Sequence, residues 1–571
     1  MHDIVIKGGT ILDGTGAPSV SGDVALDGDR IVQVGGKAGP ARREIDAGGM
    51  LVTPGWVDVH THYDGQATWD PVLAPSSWHG VTTILFGNCG VGFAPVRKEH
   101  RSELIDLMEA VEDIPNIALS EGLQWDWESF PDYLDALERL PRTIDVAAQI
   151  PHHPLRVFVM GDRGINRQAA TPEDIAAMSR LAEEGIRAGA FGFTTSRTYS
   201  HKTLTGELVP GHFAEEAELF GIGRGLGAAG AGAFGMNSDF ADEEREFAWI
   251  TTLSKETGRP VWFLLTDRPT DPARWQRIMT GVHKARANGG NVTAQVAGRP
   301  VGAILGHETS LNPFTFRPSY RALAKLPAAE RWARLRDPEM RARILAEAPS
   351  EVELAKQGQF IRFVATRWEG MFAMGMPLDY EPTPDKSIAA IAARTNHTPD
   401  EVAYDYLTEG PDRFLFFPVV GYVHGDHEQV RSLLLDDATL LGLGDGGAHC
   451  GQIVDAGLPS YMLTHWGRDR TRGPRMSLEH IVKMQTSETA DFFGFRDRGR
   501  LRPGLRADIN IIDYGNLRLH QPELRNDLPA GGKRLVQRVD GYRATLVGGI
   551  PVFENGEETG ARPGRLVRSG R

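Results

Sequence analysis

A chain of 571 residues, 41% hydrophobic and 24% charged, has the size for a barrel with a satellite domain and an ordinary globular composition. A net charge of −13 without a Lys/Arg stripe argues against nucleic-acid or anionic-membrane partners. Two cysteines, Cys89 and Cys450, are too few for a disulfide scaffold; no basic segment leads into an apolar core at the N-terminus and no 18-residue apolar run occurs, which points to the cytoplasm.

Residues 3–55 predict short strands, Asp3 to Ile6, Gly22 to Leu26 and Arg30 to Val34, with Asp27-Gly28 as a hairpin signal because glycine tolerates positive φ. Similar strands return at the far end, Ala507 to Asp513, Ala544 to Val547 and Ile550 to Phe553. Residues 1–55 and 497–571 are therefore expected to form one small β-sandwich domain from both ends of the chain. Between them, residues 56–496 alternate apolar strands with helical windows: Thr82 to Phe86, Glu103 to Met108, Ile175 to Ala188, Phe191 to Phe193 and Ala214 to Arg224. That alternation gives an α/β fold with parallel strands. No Gly-x-Gly-x-x-Gly opens a helix after the first strand, which weakens a dinucleotide-binding sheet. Residues 303–415 are poor in strand signal and rich in charge and proline, and are expected to be an insertion acting as a lid.

The segment Leu51 to His62 carries the first chemistry. His60 and His62, two apart on a strand, would present imidazoles side by side at its carboxyl end, a chelating half-site for zinc. A chance polar pair at a strand edge is the bland alternative. The Pro54-Gly55-Trp56-Val57-Asp58 lead into His60-Thr61-His62 resembles the first barrel strand of the amidohydrolase superfamily. Gly80 to Gly90, with Asn88-Cys89-Gly90, is similar to the second strand of the N-acyl-D-amino-acid deacylases, and Leu501 to Ile509 with Glu554 to Gly564 to their C-terminal signature.

The resemblance implies a (β/α)8 barrel, a metal centre of His60, His62, Cys89 and Asp445, and hydrolysis of a C–N amide bond. Cys89 stands where other branches carry a carboxylated lysine; an inert buried cysteine is the alternative. Asp445, in Leu441 to His449, resembles the aspartate of the last strand that touches the metal and moves the proton, since activated water needs a base within reach and the leaving amine an acid. His449 is open as a neighbouring ligand or orienter.

Two departures stand out. The family's fifth- and sixth-strand histidines are absent from Ala233 to Asp239 and Pro260 to Asp267. Either one zinc per chain is held by the four residues above, or Asn237, Asp239 or Asp267 replaces the missing ligands and two ions bind, or hydrolysis has been lost. The first is favoured, since the sixth-strand leucines cannot ligate. A lysine that holds the substrate carboxylate in the family is also missing, with Asp267-Arg268 in its place. Ser196 and Arg197, on the apparent fourth strand and its loop, are the expected substitutes, Arg197 as a bidentate carboxylate partner or else as a plain solvent-exposed arginine. The other histidines, His152, His153, His424 and His427, are expected in surface or core roles. The partner is a small-molecule amide, with a homo-oligomer left open. The rivals are a hydantoinase-like ring-opening enzyme, opposed by the lack of a fourth-strand lysine, and a non-catalytic scaffold.

Overall fold

The computed structural model describes residues 1–266, 270–355 and 359–570. Eight parallel strands alternate with helices. They are β1 (Trp56–Asp58), β2 (Val81–Phe86), β3 (Asp145–Ala148, continued by Ile150–Pro151), β4 (Gly192–Arg197), β5 (Ala233–Ser238), β6 (Val261–Leu264), β7 (Val292–Ala297) and β8 (Thr439–Gly442). Parallel ladders join each to the next from β1 to β8. The seam closes by backbone bonds, Asp445 N to His60 O at 3.0 Å and His62 N to Gly446 O at 2.8 Å. The β2 run Val81-Thr82-Thr83-Ile84-Leu85-Phe86 is buried throughout, as a strand covered on both faces must be. The helix Pro172–Ala188 shows how the outer layer is set. Thr171 and Asp174 form a capping box, Pro172 opens the first turn, and the apolar side with Met178, Ala182 and Ile186 is buried.

Strands from both chain ends share one nine-stranded sheet, joined where Leu51–Pro54 runs antiparallel to Ile509–Ile512. Its own core includes Ile6, Val24, Ile45, Ile509 and Leu546. The C-terminal segment does not stay within that sheet. The hairpin Glu523–Leu528 with Gly532–Val536 reaches the barrel, where Leu535 N bonds Cys450 O. The tail lies along β3, with Val567 N bonded to Val146 O at 2.8 Å.

The segment between β7 and β8 holds a separate core of Leu305, Phe314, Ile344, Ile388, Tyr404 and Phe417. It is bounded by an antiparallel pair, Val301–Leu305 with Leu415–Val420, so strands mark both of its edges despite the weak sequence signal. It is rooted beside the barrel mouth, with Ser310 N bonded to Gly451 O at 3.0 Å and Ile304 N to Gln452 O at 2.7 Å. Among the described residues no helix is long and apolar enough to cross a membrane.

Candidate metal centre

The β1 ladder ends at Asp58, so His60 and His62 lie on an extended continuation rather than in the strand itself. Thr61 N bonds Leu85 O on one side and His62 N bonds Gly446 O on the other, which fixes both residues at the barrel mouth. Their rings stand 5.4 Å apart between centroids, and both are buried. Ligand atoms of His60, His62 and Cys89 all lie within 4.8 Å of one another. Cys89 Sγ is 3.7 Å from His60 Nε2, and Asp445 Oδ1 is 3.5 Å from His60 Nε2 and 3.6 Å from His62 Nε2. The four predicted residues thus meet at one place from β1, β2 and β8.

Those separations are too long for good hydrogen bonds. They match donors around a shared ion: at zinc–ligand distances of roughly 2.0–2.3 Å, tetrahedral donors lie about 3.3–3.7 Å apart. Both ring nitrogens of His62 are buried without a hydrogen-bond partner, a costly arrangement that a cation would relieve. His60 Nδ1 meets Gln295 Oε1 of β7 at 2.6 Å, which turns Nε2 towards the mouth, the usual support for a metal-binding imidazole. The donor set of imidazole, thiol and carboxylate suits zinc.

Backbone conformation adds an independent sign. Cys89, Asp445 and His449 all have positive φ, 55°, 45° and 49°. Such residues cost roughly 1–3 kcal/mol each and concentrate at functional sites. Burial pushes the Cys89 thiol up to about 12 and the His60 imidazole down to about 4 in the metal-free protein. Burial works against ionised Asp445 too, but the imidazoles of His62, His60 and His449 outweigh it and hold the carboxyl at about 2. A general base in that position is ionised at neutral pH.

Three residues at the mouth were not anticipated. Glu112, the last residue of α1 (Arg101–Glu112), is buried with Oε2 3.5 Å from His62 Nε2 and 3.5 Å from His449 Nε2. The signal was present: an acid at a helix C-terminus faces the negative end of the dipole and needs another reason to be there. Gln295 on β7 is the second. His201 is the third; its Nδ1 bonds Ser196 Oγ at 2.8 Å, and burial, then the charges of His449, His62 and His60, push it down to about 3.

Of the two predicted substrate contacts, Ser196 therefore acts on His201. Arg197 is already engaged within the fold. Its Nη2 donates to Glu246 Oε1 at 2.9 Å, its Nη1 to Ala214 O at 3.1 Å, and its guanidinium lies over Trp249. The guanidinium is neutralised within the fold.

Of the expected fifth- and sixth-strand replacements, one is engaged in bracing a loop and one is not described. Asp239 accepts from Thr198 Oγ1 at 3.0 Å and Tyr199 N at 2.8 Å, bracing the β4 loop, and Asp267 lies outside the described residues. Gly235 on β5 pairs with Trp262 on β6, and a Cβ there would meet the indole at 2.3 Å. Glycine makes room for a ring that stands edge-on to His60, 6.0 Å between centroids. His152 and His153 are fully buried; His152 is bonded to Glu218 and Thr195, and His153 to Gly211 N.

Eight parallel strands with candidate metal-ligating side chains gathered beyond their carboxyl ends define a (β/α)8 barrel with a candidate metal site. A model described as "Amidohydrolase family" matches residues 43–553, and the chain belongs to that family. It is 26% identical to D-aminoacylase of Alcaligenes xylosoxydans xylosoxydans over 573 residues, covering 99% of this chain and 97% of that one. It superposes over its full length on a solved D-aminoacylase with a TM-score of 0.65 at 24% identity, again covering all of both chains. A zinc- and phosphonate-bound N-acyl-D-glutamate deacylase from Bordetella bronchiseptica matches with a TM-score of 0.65 at 23% identity, with full coverage of both. The protein is thus an amidohydrolase-family hydrolase related to the D-aminoacylases.

Proposed function

We propose that this chain is a zinc-dependent amidohydrolase that cleaves the C–N amide bond of an N-acyl amino acid, in the first instance of D configuration, or of a related small amide. The observation that carries the reading is the buried meeting of His60, His62, Cys89 and Asp445 around a point where His62 has no hydrogen-bond partner. A divalent cation bound there supplies Lewis acidity that polarises an amide carbonyl and makes water nucleophilic near neutral pH.

The chain's own residues do the rest. His60, His62 and Cys89 would hold the cation, with Gln295 orienting His60. Asp445 accepts the proton from the attacking water and returns it to the departing amine, which a carboxylate already ionised at neutral pH is suited to do. Ser196 and His201 line the β4 side, where hydroxyl and imidazole would meet substrate polar groups. β4, Gly192 to Arg197, contains no lysine, which disfavours a ring-opening centre built on a carboxylated lysine.

Metal analysis of protein purified without added metal, with hydrolysis assays on N-acyl-D- and N-acyl-L-amino acids, tests the reading. Tightly bound zinc and amide hydrolysis, both lost in His60→Ala, are expected. No metal and no hydrolysis across the panel would leave a non-catalytic barrel scaffold.

A further inference from the structure

Just beyond β3, two neighbouring imidazoles are buried alike and paired differently. His152 and His153 follow Ile150–Pro151 directly and open the helix His152–Met160, with their rings stacked at 6.1 Å between centroids. His152 uses both nitrogens within the fold, Nδ1 with Thr195 Oγ1 at 2.7 Å and Nε2 with Glu218 Oε1 at 2.9 Å. His153 uses one. Its Nδ1 accepts from Gly211 N at 3.0 Å, and its Nε2 is buried without a partner. A backbone N–H directed at Nδ1 leaves no place for a proton there. The ring is therefore neutral and carries its proton on Nε2, the tautomer set by the hydrogen bond of the other nitrogen. Burial, and then the neighbouring His152, favour the same uncharged form and hold this imidazole well below its usual pKa.

The residues around His153 are fitted to it. A Cβ on residue 211 would lie 2.7 Å from the His153 ring, so glycine there lets the β4 loop close on the imidazole. On the opposite side His153 N donates to Gly90 O at 3.0 Å, one residue after the candidate ligand Cys89. His201 comes from the same β4 loop as Gly211. Its Nδ1 is taken by Ser196 Oγ at 2.8 Å, which leaves Nε2 for another partner, and its surroundings include His62 and His60.

A buried N–H donor with nothing to bond destabilises the fold unless an acceptor from outside the chain meets it. In an N-acyl amino acid the scissile carbonyl is one oxygen acceptor, and the cation proposed above polarises it. The other is the carboxyl-derived group on the α-carbon. From these observations we infer that His153 Nε2, with His201 Nε2, binds that second group, in place of the substrate-binding lysine that the sequence lacks. A neutral donor requires an acceptor oxygen and not a negative charge. The substrate class therefore extends from free N-acyl amino acids to their amides and esters. The inference rests on the hydrolase reading given above.

Steady-state kinetics of the zinc-loaded full-length chain test it with N-acetylleucine in the configuration the chain cleaves, with its primary amide, and with N-acetyl-3-methylbutylamine, which is N-acetylleucine without the carboxyl group. The first two should be cleaved with kcat/KM within about 10-fold of each other, and the third about 10-fold or more worse, mainly through KM. His153→Asn keeps an acceptor for Gly211 N and deletes the Nε2 donor. It should lower kcat/KM by about 10-fold or more for the two substrates that bear the second group, leave the third unchanged and retain bound zinc. His201→Asn makes the same exchange at the other imidazole and carries the test if His153→Asn does not fold. An equal loss for all three substrates would mean a structural role, and a strict requirement for the free acid would mean a cation at this position; either overturns the inference. Absence of hydrolysis by the zinc-loaded chain with every substrate removes the hydrolase reading and this inference with it, a result distinct from both.

Discussion

The two halves of the barrel mouth are built on opposite principles. Along β1, β2 and β8 the side chains are polar, buried and incompletely paired, and Cys89 and Asp445 sit in left-handed backbone. Along β5 and β6 the facing positions are Gly235 and Trp262, where glycine makes room for a large indole that buries mainly apolar surface and leaves one N–H without a partner. A fold tolerates unpaired buried donors and strained φ only where something outside the chain repays them, whereas packed apolar groups stabilise themselves. On the proposed function, the contrast puts the chemistry on one arc and support on the other. The sharpest way to break it is Asp445→Asn. This substitution keeps the shape and removes the base, so kcat should fall by about 10²–10⁴-fold with bound metal largely retained. An unchanged kcat in that variant would move the chemistry off the polar arc.

The supporting arc makes the complementary prediction. Trp262→Ala empties a large buried volume beside His60, and should cost about 3–5 kcal/mol of barrel stability, read as an earlier denaturant midpoint. Because Trp262 ligates nothing, metal content at low temperature should survive. Metal loss from a variant whose unfolding midpoint has not moved would show that the division between arcs is wrong. A smaller effect belongs to Gln295→Leu, which removes the acceptor that orients His60. Metal affinity is expected to drop by about 10–100-fold with little change in stability, checked by chelator competition.

Much of this was legible before any coordinates. The strand–helix alternation announces parallel α/β structure, and the His-x-His and Asn-Cys-Gly segments mark the two neighbouring strands that carry the candidate ligands. What stayed hidden has physical reasons. Glu112 lies on a different element from His62 and far along the chain from His449, and its only local sign is an acid at the wrong end of a helix dipole. Gln295 lies within a short buried strand of ordinary composition, so nothing in Val292 to Ala297 sets it apart. Arg197 ends β4 at the height of the site, but its partner Glu246 comes from a helix one unit later, and sequence spacing does not show that pairing. The β7–β8 insertion looks irregular in sequence because its strands are short and only mark its edges; its core is made by helices packing on one another.

A second pair of buried histidines sharpens the meaning of an unpartnered imidazole. His62 has neither nitrogen bonded, whereas His79, equally buried, has both satisfied: Nδ1 meets Ser460 Oγ at 2.9 Å and Nε2 meets Gln537 O at 2.9 Å. His79 ties the turn before β2 to the C-terminal segment, and nothing about it calls for an ion. Burial pushes its pKa from 6.5 down to about 4, because the charged form loses hydration. Above pH 6.5 neither the folded nor the unfolded form is protonated there, and the contribution to stability is complete. Between pH 6.5 and about 4 the unfolded chain takes up a proton that the folded one refuses, so stability falls as pH falls, by up to about 1.4 kcal/mol per pH unit from this residue. Below about 4 the folded form binds the proton as well and the slope from His79 ends. His307, pushed to about 4, and His427, to about 3, add slopes of the same sign. His79→Gln should therefore leave a shallower but non-zero loss of stability over this window, measured by denaturant titration at half-unit pH steps. Equal slopes in the two proteins would mean that His79 is protonated in the folded state and that its burial is not as tight as its two hydrogen bonds require.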